Sequence, residues 1–412
     1  MSDAINRIFD DFDRGHLSRR TLLQMLGVGA MAATPFGRAV AQGSCGGANR
    51  GTPRCNTTPF PPPFAATGWK TVLVDHFSVH AADYGAEAAF FNALMGWKVR
   101  SDDGSKAVLD IGDWGSVIIR GGYQPPAPPQ PVAAAAPPPP AAGDTSGARG
   151  GRGGRGGRGG GRGPVRAVWD NFCVGIAPWD TKTVEAELKK RGLDPVADHA
   201  PSADFYSFHV KDPDGFDFQV SNGNRRNRRT TPANGKLLTP PPFEPTGWKT
   251  MYLDHISWQC TSYKESVAFY QALVGWQPLG DEGSQNEVVF APEIGGALIR
   301  GGNAYMPGGL RAAAAGRGGR GGQPAAPIDT TAPIVRRTVF NHISFGIADF
   351  DPDKVKAALE SRGLNAREDT GATAESPPED HDIHTAHYKS YHTTTPNGWD
   401  LQISDKVRAG DR

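Results

Sequence analysis

The chain has 412 residues, of which 38% are hydrophobic, and this is enough for two domains with cores of their own. The formal net charge is +1, so no global electrostatic field favours nucleic acid or an acidic partner. The four cysteines lack zinc-finger spacing, which excludes a small zinc-stabilised module.

The first 41 residues are predicted to be an export signal. Residues 18–24 read SRRTLLQ and resemble the twin-arginine export motif, and an apolar run follows from Leu22 to Ala33. The small-x-small triplet 39–41 is a cleavage site before Gln42. Because the apolar run is too short to span a bilayer, we expect a periplasmic or secreted mature protein without a membrane span.

Residues 42–66 form a Pro/Gly-rich start of the mature chain. In an oxidising compartment Cys45 and Cys55 of this segment could form a disulfide. The other two cysteines, Cys173 and Cys260, lie in strand-like apolar runs, so we expect them to be small buried residues.

The rest of the chain repeats itself. The sequence TGWKT at 67–71 returns at 246–250, and Asp75-His76 returns as Asp254-His255, both at an offset of 179. A repeat this long indicates a duplicated domain. We place the two copies at 67–223 and 246–406, with a linker at 224–245.

Each copy divides into two units of similar size. The units cover 67–122, 165–222, 246–303 and 336–405. Each unit opens with a β-rich run, continues with an amphipathic helical pattern and closes with short strands. Glycine follows the helical pattern in units two and four, as Gly192 and Gly363, where it can serve as a C-cap.

Low-complexity insertions separate the two units of each copy. They cover 125–163, which is rich in Pro/Ala and then in Arg-Gly-Gly, and 306–333. Such compositions bury too little apolar surface to fold, so we interpret both as solvated surface linkers. Arg-Gly-Gly repeats also occur in RNA-binding tails, but that function needs an RNA-containing compartment, which the export signal disfavours. We therefore expect a small-molecule partner and no nucleic acid.

The unit pattern and two local motifs resemble the vicinal oxygen chelate superfamily, which includes glyoxalase I, bleomycin-resistance proteins and extradiol dioxygenases. The motifs are the opening Asp-His strands and the closing run DPDGFDFQ at 212–219, which is similar to the family ending D-P-D-G-N-x-x-E. The resemblance implies an α+β fold: four β-α-β-β-β modules paired into two glyoxalase-like domains with cup-shaped mixed sheets. A divalent metal would bind inside the cup.

In the second copy, the resemblance assigns the metal ligands to His255, His342 and Gln402. Arg300 takes the equivalent place on the last strand of unit three, opposite these ligands. Gln402 stands where the family usually has glutamate, and a neutral amide binds metal more weakly. Two imidazoles with an amide suit Fe(II), Zn, Ni or Co better than a hard cation.

The first copy has diverged at the corresponding positions, which hold His76, Arg120, Asn171 and Gln219. One histidine has become asparagine, so only one strong ligand remains. We expect this copy to be free of metal and to serve as a structural domain or a polar small-molecule pocket.

Strand alternation places His255 on one face with Ser257 and Gln259, while Ile256 and Trp258 point to the opposite face. A polar face of this kind is expected of a strand that lines a site. The alternative is that His255 and His342 are inert core histidines that hydrogen-bond within the protein.

Two further residues are candidates for catalysis. His392 corresponds to His209 of the first copy and could act as a general acid or base, or it could simply pack on its strand. Arg300 would attract an anionic substrate oxygen, or it could merely end its strand. The histidines at 381, 384 and 387 lie in an acidic stretch that we interpret as a solvated loop.

The sequence thus predicts an exported metal-dependent enzyme of the vicinal oxygen chelate type. The substrate would be a small molecule with two adjacent oxygens, and the reaction that of a dioxygenase or a glyoxalase-like lyase. The alternative is a metal-free small-molecule binding protein of the bleomycin-resistance type.

Overall fold

The structure is a computed structural model. The described residues are 60–112, 114–125, 165–201, 204–223, 231–281, 285–291, 294–301, 336, 338–372 and 376–405. The predicted export signal, Cys45, Cys55 and nearly all of both insertions lie outside them, so these predictions stay untested. Within these ranges, no helix has the length and apolarity needed to cross a membrane.

The described segments of the first copy form one mixed sheet of eight strands in the order β2-β3-β4-β1-β5-β8-β7-β6. The strands are β1 (Lys70–Ala81), β2 (Lys98–Asp102), β3 (Lys106–Ile111), β4 (Gly115–Arg120), β5 (Ala167–Ala177), β6 (Val196–Ala200), β7 (Phe205–Lys211) and β8 (Asp217–Ser221). Helix α1 (Tyr84–Met95) follows β1, and helix α2 (Thr181–Lys190) follows β5.

The second copy repeats this order in its described segments, as β10-β11-β12-β9-β13-β16-β15-β14. The strands are β9 (Thr250–Gln259), β10 (Gln277–Asp281), β11 (Gln285–Ala291), β12 (Gly295–Arg300), β13 (Val339–Ile347), β14 (Arg367–Asp369), β15 (Ser390–Thr394) and β16 (Asp400–Ser404). The helical elements are α3 (Tyr263–Val274), α4 (Pro352–Glu360) and a 3-10 turn (Pro378–His381).

The pairing pattern divides each sheet into two modules. In each module the first strand is parallel to the last, as β9 is to β12 and β13 to β16. The two first strands, β9 and β13, pair antiparallel in the centre of the sheet. The predicted α+β fold of four β-α-β-β-β modules, paired into two mixed sheets, is therefore confirmed.

Helix ends follow their local sequence. The side chains of Asp83, Ser262 and Asp351 cap helices α1, α3 and α4 by accepting a backbone N–H of the first turn. Helices α1 and α3 end at Gly96 and Gly275, both left-handed, with φ of 69° and 71°. A side chain there would also meet the backbone of the other copy, since a Cβ on Gly96 lies 2.3 Å from the Trp248 oxygen.

The repeated TGWKT motif forms the interface between the copies. Trp97 Nε1 donates to Thr250 Oγ1 at 2.8 Å, and Trp276 Nε1 donates to Thr71 Oγ1 at 2.9 Å. These bonds are equivalent and run in opposite directions, as in a two-fold symmetric dimer. The strongest sequence repeat therefore specifies how the two copies pack, and a continuous apolar core runs through both.

Candidate metal centre

The pairing register brings the predicted site residues of the second copy onto one face of its sheet. Side chains of residues paired across neighbouring strands point to the same face. One row of paired residues consists of His255, Ser344, Gln402 and His392, and the next row consists of Ser257, His342 and Asp400. On the opposite face Ile256 and Trp258 are buried in the apolar core, as the alternation predicts.

The two histidines from the opening strands meet directly. His255 Nε2 lies 2.9 Å from His342 Nε2, and the ring centroids are 5.1 Å apart. His255 is 1% exposed and His342 is 8% exposed. Two imidazole nitrogens this close need a proton or a cation between them. Adjacent nitrogens around a metal ion, with bonds of about 2.0–2.1 Å at right angles, lie about 3 Å apart.

A β-bulge adds Asp254 to this face. In the β9–β13 pair Ser344 is opposite His255 and Phe345 is opposite Leu253, so Asp254 is the extra residue. Its Oδ2 accepts from the hydroxyls of Tyr388 at 2.5 Å and Ser344 at 2.8 Å. His255 Nδ1 lies 3.1 Å from the same oxygen. The carboxylate therefore holds the Nδ1 proton and directs the Nε2 lone pair of His255 toward His342.

Gln402 presents an oxygen to the same face. Its Nε2 donates to Ser390 Oγ at 2.7 Å and to Tyr388 Oη at 3.2 Å. Its Oε1 is buried and has no hydrogen-bond partner among the described residues. An acceptor buried in this way costs about 1–3 kcal/mol unless something binds it. The donor set of two imidazoles and one amide oxygen fits a divalent transition metal.

A second set of ligand atoms lies nearby, because His342, His392 and Asp400 have nitrogen and oxygen atoms within 4.8 Å of one another. Both ring nitrogens of His392, however, already face carboxylates. Nε2 is 3.0 Å from Asp369 Oδ2, and Nδ1 is 3.2 Å from Asp400 Oδ2. Because two neighbouring carboxylates favour the protonated imidazole, His392 is a poorer metal ligand than Gln402, whose Oε1 has no hydrogen-bond partner among the described residues. We therefore favour the set with Gln402.

His392 is an ionisable group beside the centre. Burial lowers its pKa, but hydrogen bonds with Asp369 and Asp400 outweigh burial, so the pKa is raised above its ordinary value. Its ring packs edge-on against His342, with the centroids 5.0 Å apart. The structure thus brings His392 to the site as a proton-holding group.

The strand register contradicts the prediction that Arg300 is equivalent to Gln402. Gln402 pairs with Ser344, and the equivalent pair in unit three is Leu298 with Ser257. Arg300 pairs with Gln259, one alternation further along the strand. The position equivalent to Gln402 is therefore the apolar Leu298. Counting four residues from glycine was wrong because the turns that precede β12 and β16 differ in length.

The equivalent place in the first copy is closed by its own side chains. Asn171 Nδ2 donates to Gln219 Oε1 at 2.8 Å, so the amide oxygen that is unpartnered in Gln402 is satisfied here. His76 Nδ1 lies 2.6 Å from Asp75 Oδ1. Ligand atoms of Asp75, His76 and Cys173 also lie within 4.8 Å of one another, all buried. That this copy is free of metal stays a prediction.

The remaining sequence predictions concern residues away from the centre. Cys173 and Cys260 are buried thiols, as expected, and burial raises the pKa of Cys260 to about 12. His384 and His387 are exposed and hydrogen-bond to Asp382 and Asp380 respectively, which confirms a solvated acidic loop.

Sequence reasoning missed Asp254, Tyr388 and Asp369, which hold the site residues in place. Asp254 had a signal, because the Asp-His pair is repeated in both copies, but strict strand alternation points it away from the site. Only the bulge brings it back. Tyr388 and Asp369 precede the recognised closing motif and carried no signal in a single chain.

Comparison with models of protein families and with curated proteins gives no match. Solved structures similar to this chain include the Mn(II)-bound glyoxalase from Novosphingobium aromaticivorans, with 13% identity, a TM-score of 0.47 and coverage of 82% of this chain and 84% of that one. A catechol 2,3-dioxygenase has 11% identity, a TM-score of 0.48 and coverage of 81% and 88%. Homoprotocatechuate 2,3-dioxygenase from Arthrobacter globiformis has 12% identity, a TM-score of 0.46 and coverage of 84% and 83%.

Proposed function

We propose that the second copy binds one divalent metal ion through His255 Nε2, His342 Nε2 and Gln402 Oε1. The observation that carries the proposal is the 2.9 Å approach of the two imidazole nitrogens on a buried face. The unpartnered Oε1 of Gln402 adds a third ligand from the closing strand. The resemblance to the vicinal oxygen chelate superfamily implies ligands at the same three positions.

The ligand chemistry favours Fe(II), Zn, Ni or Co over Mg or Ca. All three ligands are neutral, so they leave the charge of a divalent ion uncompensated. One negative charge is linked directly to a ligand, because the carboxylate of Asp254 is fully buried and hydrogen-bonds to His255 Nδ1. We propose that Asp254 supplies through this imidazole part of the charge that a glutamate ligand would supply directly.

The proposed activity is that of a vicinal-oxygen-chelate enzyme, a dioxygenase or a glyoxalase-like lyase, on a small substrate with adjacent oxygens. A metal held by these residues would supply Lewis-acid polarisation of the substrate oxygens, and Fe(II) would also supply the redox chemistry that a dioxygenase needs. His392, held between two carboxylates beside His342, is placed to exchange a proton with the substrate. His342 and His392 keep 8% of their surface exposed, so the substrate would approach from their side.

Two other side chains on this face would contact the substrate. Ser257 Oγ is fully buried and has no hydrogen-bond partner within the described ranges, so it is available to a substrate oxygen. Leu298 occupies the fourth ligand position and gives the site an apolar wall. Arg300, one residue pair beyond, is proposed to attract an anionic group at the rim rather than to touch the metal.

Metal analysis of the purified protein tests the proposal. We expect about one metal ion per chain, lost in His255→Ala and in His342→Ala. His76→Ala, the equivalent change in the first copy, is the matched control and should retain the metal. A well-folded protein without metal would contradict the proposal and support a metal-free binder of the bleomycin-resistance type.

Oxygen consumption then separates the two reactions. Fe(II)-loaded protein that consumes oxygen with 4-nitrocatechol, a chromophoric compound with adjacent oxygens, acts as a ring-cleaving dioxygenase. Turnover of a hemithioacetal without oxygen consumption indicates a lyase.

We also propose that the mature protein is exported by the twin-arginine segment at 18–24 and acts on a small molecule, without nucleic acid. Replacement of both Arg19 and Arg20 by lysine should retain the precursor in the cytoplasm. Cell fractionation and immunoblotting would show where the variant accumulates. Its normal export would contradict the export proposal.

A further inference from the structure

The two copies provide an internal comparison between a closed site and an open one. Asn171 of the first copy is equivalent to His342 of the second in the strand register. Phe205 is equivalent to Tyr388, at the same offset of 183 residues that relates the closing strands. Both exchanges lie around the same amide, which is Gln219 in the first copy and Gln402 in the second. The first exchange supplies a ligand. The exchange of Phe205 for Tyr388 adds no ligand, so the tyrosine must serve another purpose.

The Tyr388 hydroxyl links two parts of the proposed metal centre. Asp254 Oδ2 is a carboxylate oxygen and accepts only, so the hydroxyl proton of Tyr388 goes to it, over 2.5 Å. The hydroxyl oxygen then accepts from Gln402 Nε2 at 3.2 Å. One buried phenol thus connects the carboxylate behind His255 with the amide of the closing strand.

The hydroxyl groups of Tyr388 and Ser390 determine which way the Gln402 amide points. Ser390 donates its hydroxyl proton to the backbone oxygen of Asp369, so its Oγ accepts from Gln402 Nε2. Both hydroxyl neighbours of the amide therefore require an N–H, and the nitrogen must face them. Oε1 is forced to the other side, where it is buried without a hydrogen-bond partner from the described residues.

The first copy lacks one half of this arrangement. Gln219 Nε2 donates to Ser207 Oγ at 2.7 Å, as Gln402 does to Ser390. Phe205, however, has no hydroxyl, and its ring packs against His76 with the centroids 6.5 Å apart. The second copy therefore has the phenol hydroxyl, and its glutamine oxygen has no hydrogen-bond partner among the described residues. The first copy lacks the hydroxyl, and its glutamine oxygen accepts from Asn171.

We infer that Tyr388 is a positioning residue of the metal centre. Its hydroxyl holds the Gln402 amide with Oε1 turned away from Tyr388 and Ser390, and, through Asp254, it holds the His255 imidazole in the tautomer that binds metal. This role rests on the proposed function, since the Tyr388 hydroxyl bonds to the proposed ligand Gln402 and to Asp254, which holds the proposed ligand His255. It also explains why the closing strand carries glutamine rather than glutamate. A carboxylate there would face the hydroxyl oxygens of Tyr388 and Ser390, whose protons are already donated to other acceptors.

Cobalt(II) binding to Tyr388→Phe tests the inference. The change reproduces the residue found at the equivalent place of the first copy. We expect the affinity for Co(II), measured by competition with a chelator, to fall about 10- to 100-fold, the usual cost of losing a partner that orients a ligand. The visible spectrum of the cobalt protein should change toward that of Gln402→Ala. Phe205→Tyr is the matched control and should leave both quantities unchanged.

A double variant separates positioning from general loosening. If Tyr388 acts through the amide, Tyr388→Phe combined with Gln402→Ala should lose less affinity than the two single losses combined. Cobalt affinity of Tyr388→Phe within twofold of wild type, or losses that combine fully, would overturn the inference. Asp254→Asn interrupts the same link from the other side and gives the same test if the Phe variant does not fold.

The proposed function fails in a different way. If His342→Ala and Gln402→Ala bind Co(II) as tightly as the wild type, the ligand set itself is wrong. If they lose Co(II) while Tyr388→Phe keeps it, only the positioning role is refuted.

Discussion

Replacement of His342 by asparagine should turn the second copy into a copy of the first. In the first copy Asn171 Nδ2 donates to the glutamine oxygen at 2.8 Å. An asparagine at 342 should do the same to Gln402 Oε1 and satisfy a buried acceptor that costs about 1–3 kcal/mol. The variant also loses the contact between the two histidines, a hydrogen bond of about 1 kcal/mol. The metal-free variant should therefore be at least as stable as the wild type.

Metal should then distinguish the two proteins. At a free metal concentration of about 100 times Kd, binding adds about 2.7 kcal/mol to the free energy of unfolding of the wild type. His342→Asn should gain nothing from the same metal. Urea unfolding with Zn(II) or with a chelator measures both terms, and His387→Asn, in the exposed loop, is the control. An equal gain in stability from metal in His342→Asn, or a loss of several kcal/mol without metal, would contradict this prediction.

Three other predictions concern stability. Burial raises the pKa of Asp212 to about 6, so its protonated carboxyl contributes stability that is complete below about pH 4 and is lost as pH rises through 6. Relative to the wild type, Asp212→Asn should gain about 2.5 kcal/mol between pH 4 and pH 7. Thr71→Val and Thr250→Val each leave a buried tryptophan N–H at the interface without its acceptor, and each should lower the free energy of unfolding by about 1–3 kcal/mol, by similar amounts. Gln402→Glu should cost at least about 2 kcal/mol without metal, because its carboxylate faces oxygens rather than donors.

Urea unfolding monitored by tryptophan fluorescence checks all three. For Asp212 the control is Asp204→Asn, the same replacement at an exposed position. A pH-independent difference between Asp212→Asn and the wild type would contradict the first prediction. Very unequal losses at Thr71 and Thr250 would contradict the two-fold symmetric interface, and a stabilised Gln402→Glu would contradict the proton accounting around Tyr388.

The fold could be predicted from the sequence because its signals are local and repeated. The β-rich openings, helical patterns and closing strands recur four times, and the structure has all of them. The polar and apolar faces of β9 also follow from strict alternation, which correctly separates His255 and Ser257 from Ile256 and Trp258, although all four side chains are buried.

The details of the site depend on register, which periodicity does not supply. Arg300 and Leu298 differ by one alternation, and only the pairing of β12 with β9 decides which one is equivalent to Gln402. Asp254 reaches the site through a bulge that its own sequence does not announce. Tyr388 comes from an irregular segment far along the chain, and its role depends on where hydroxyl protons go.

Anomalous X-ray diffraction from crystals of the cobalt-loaded protein, collected at the cobalt absorption edge, would locate the metal ion. We expect a strong peak within about 2.0–2.3 Å of His255 Nε2, His342 Nε2 and Gln402 Oε1, with Gln402 Nε2 turned toward Tyr388. A peak between His342, His392 and Asp400 instead, or no peak in the second copy, would contradict this expectation.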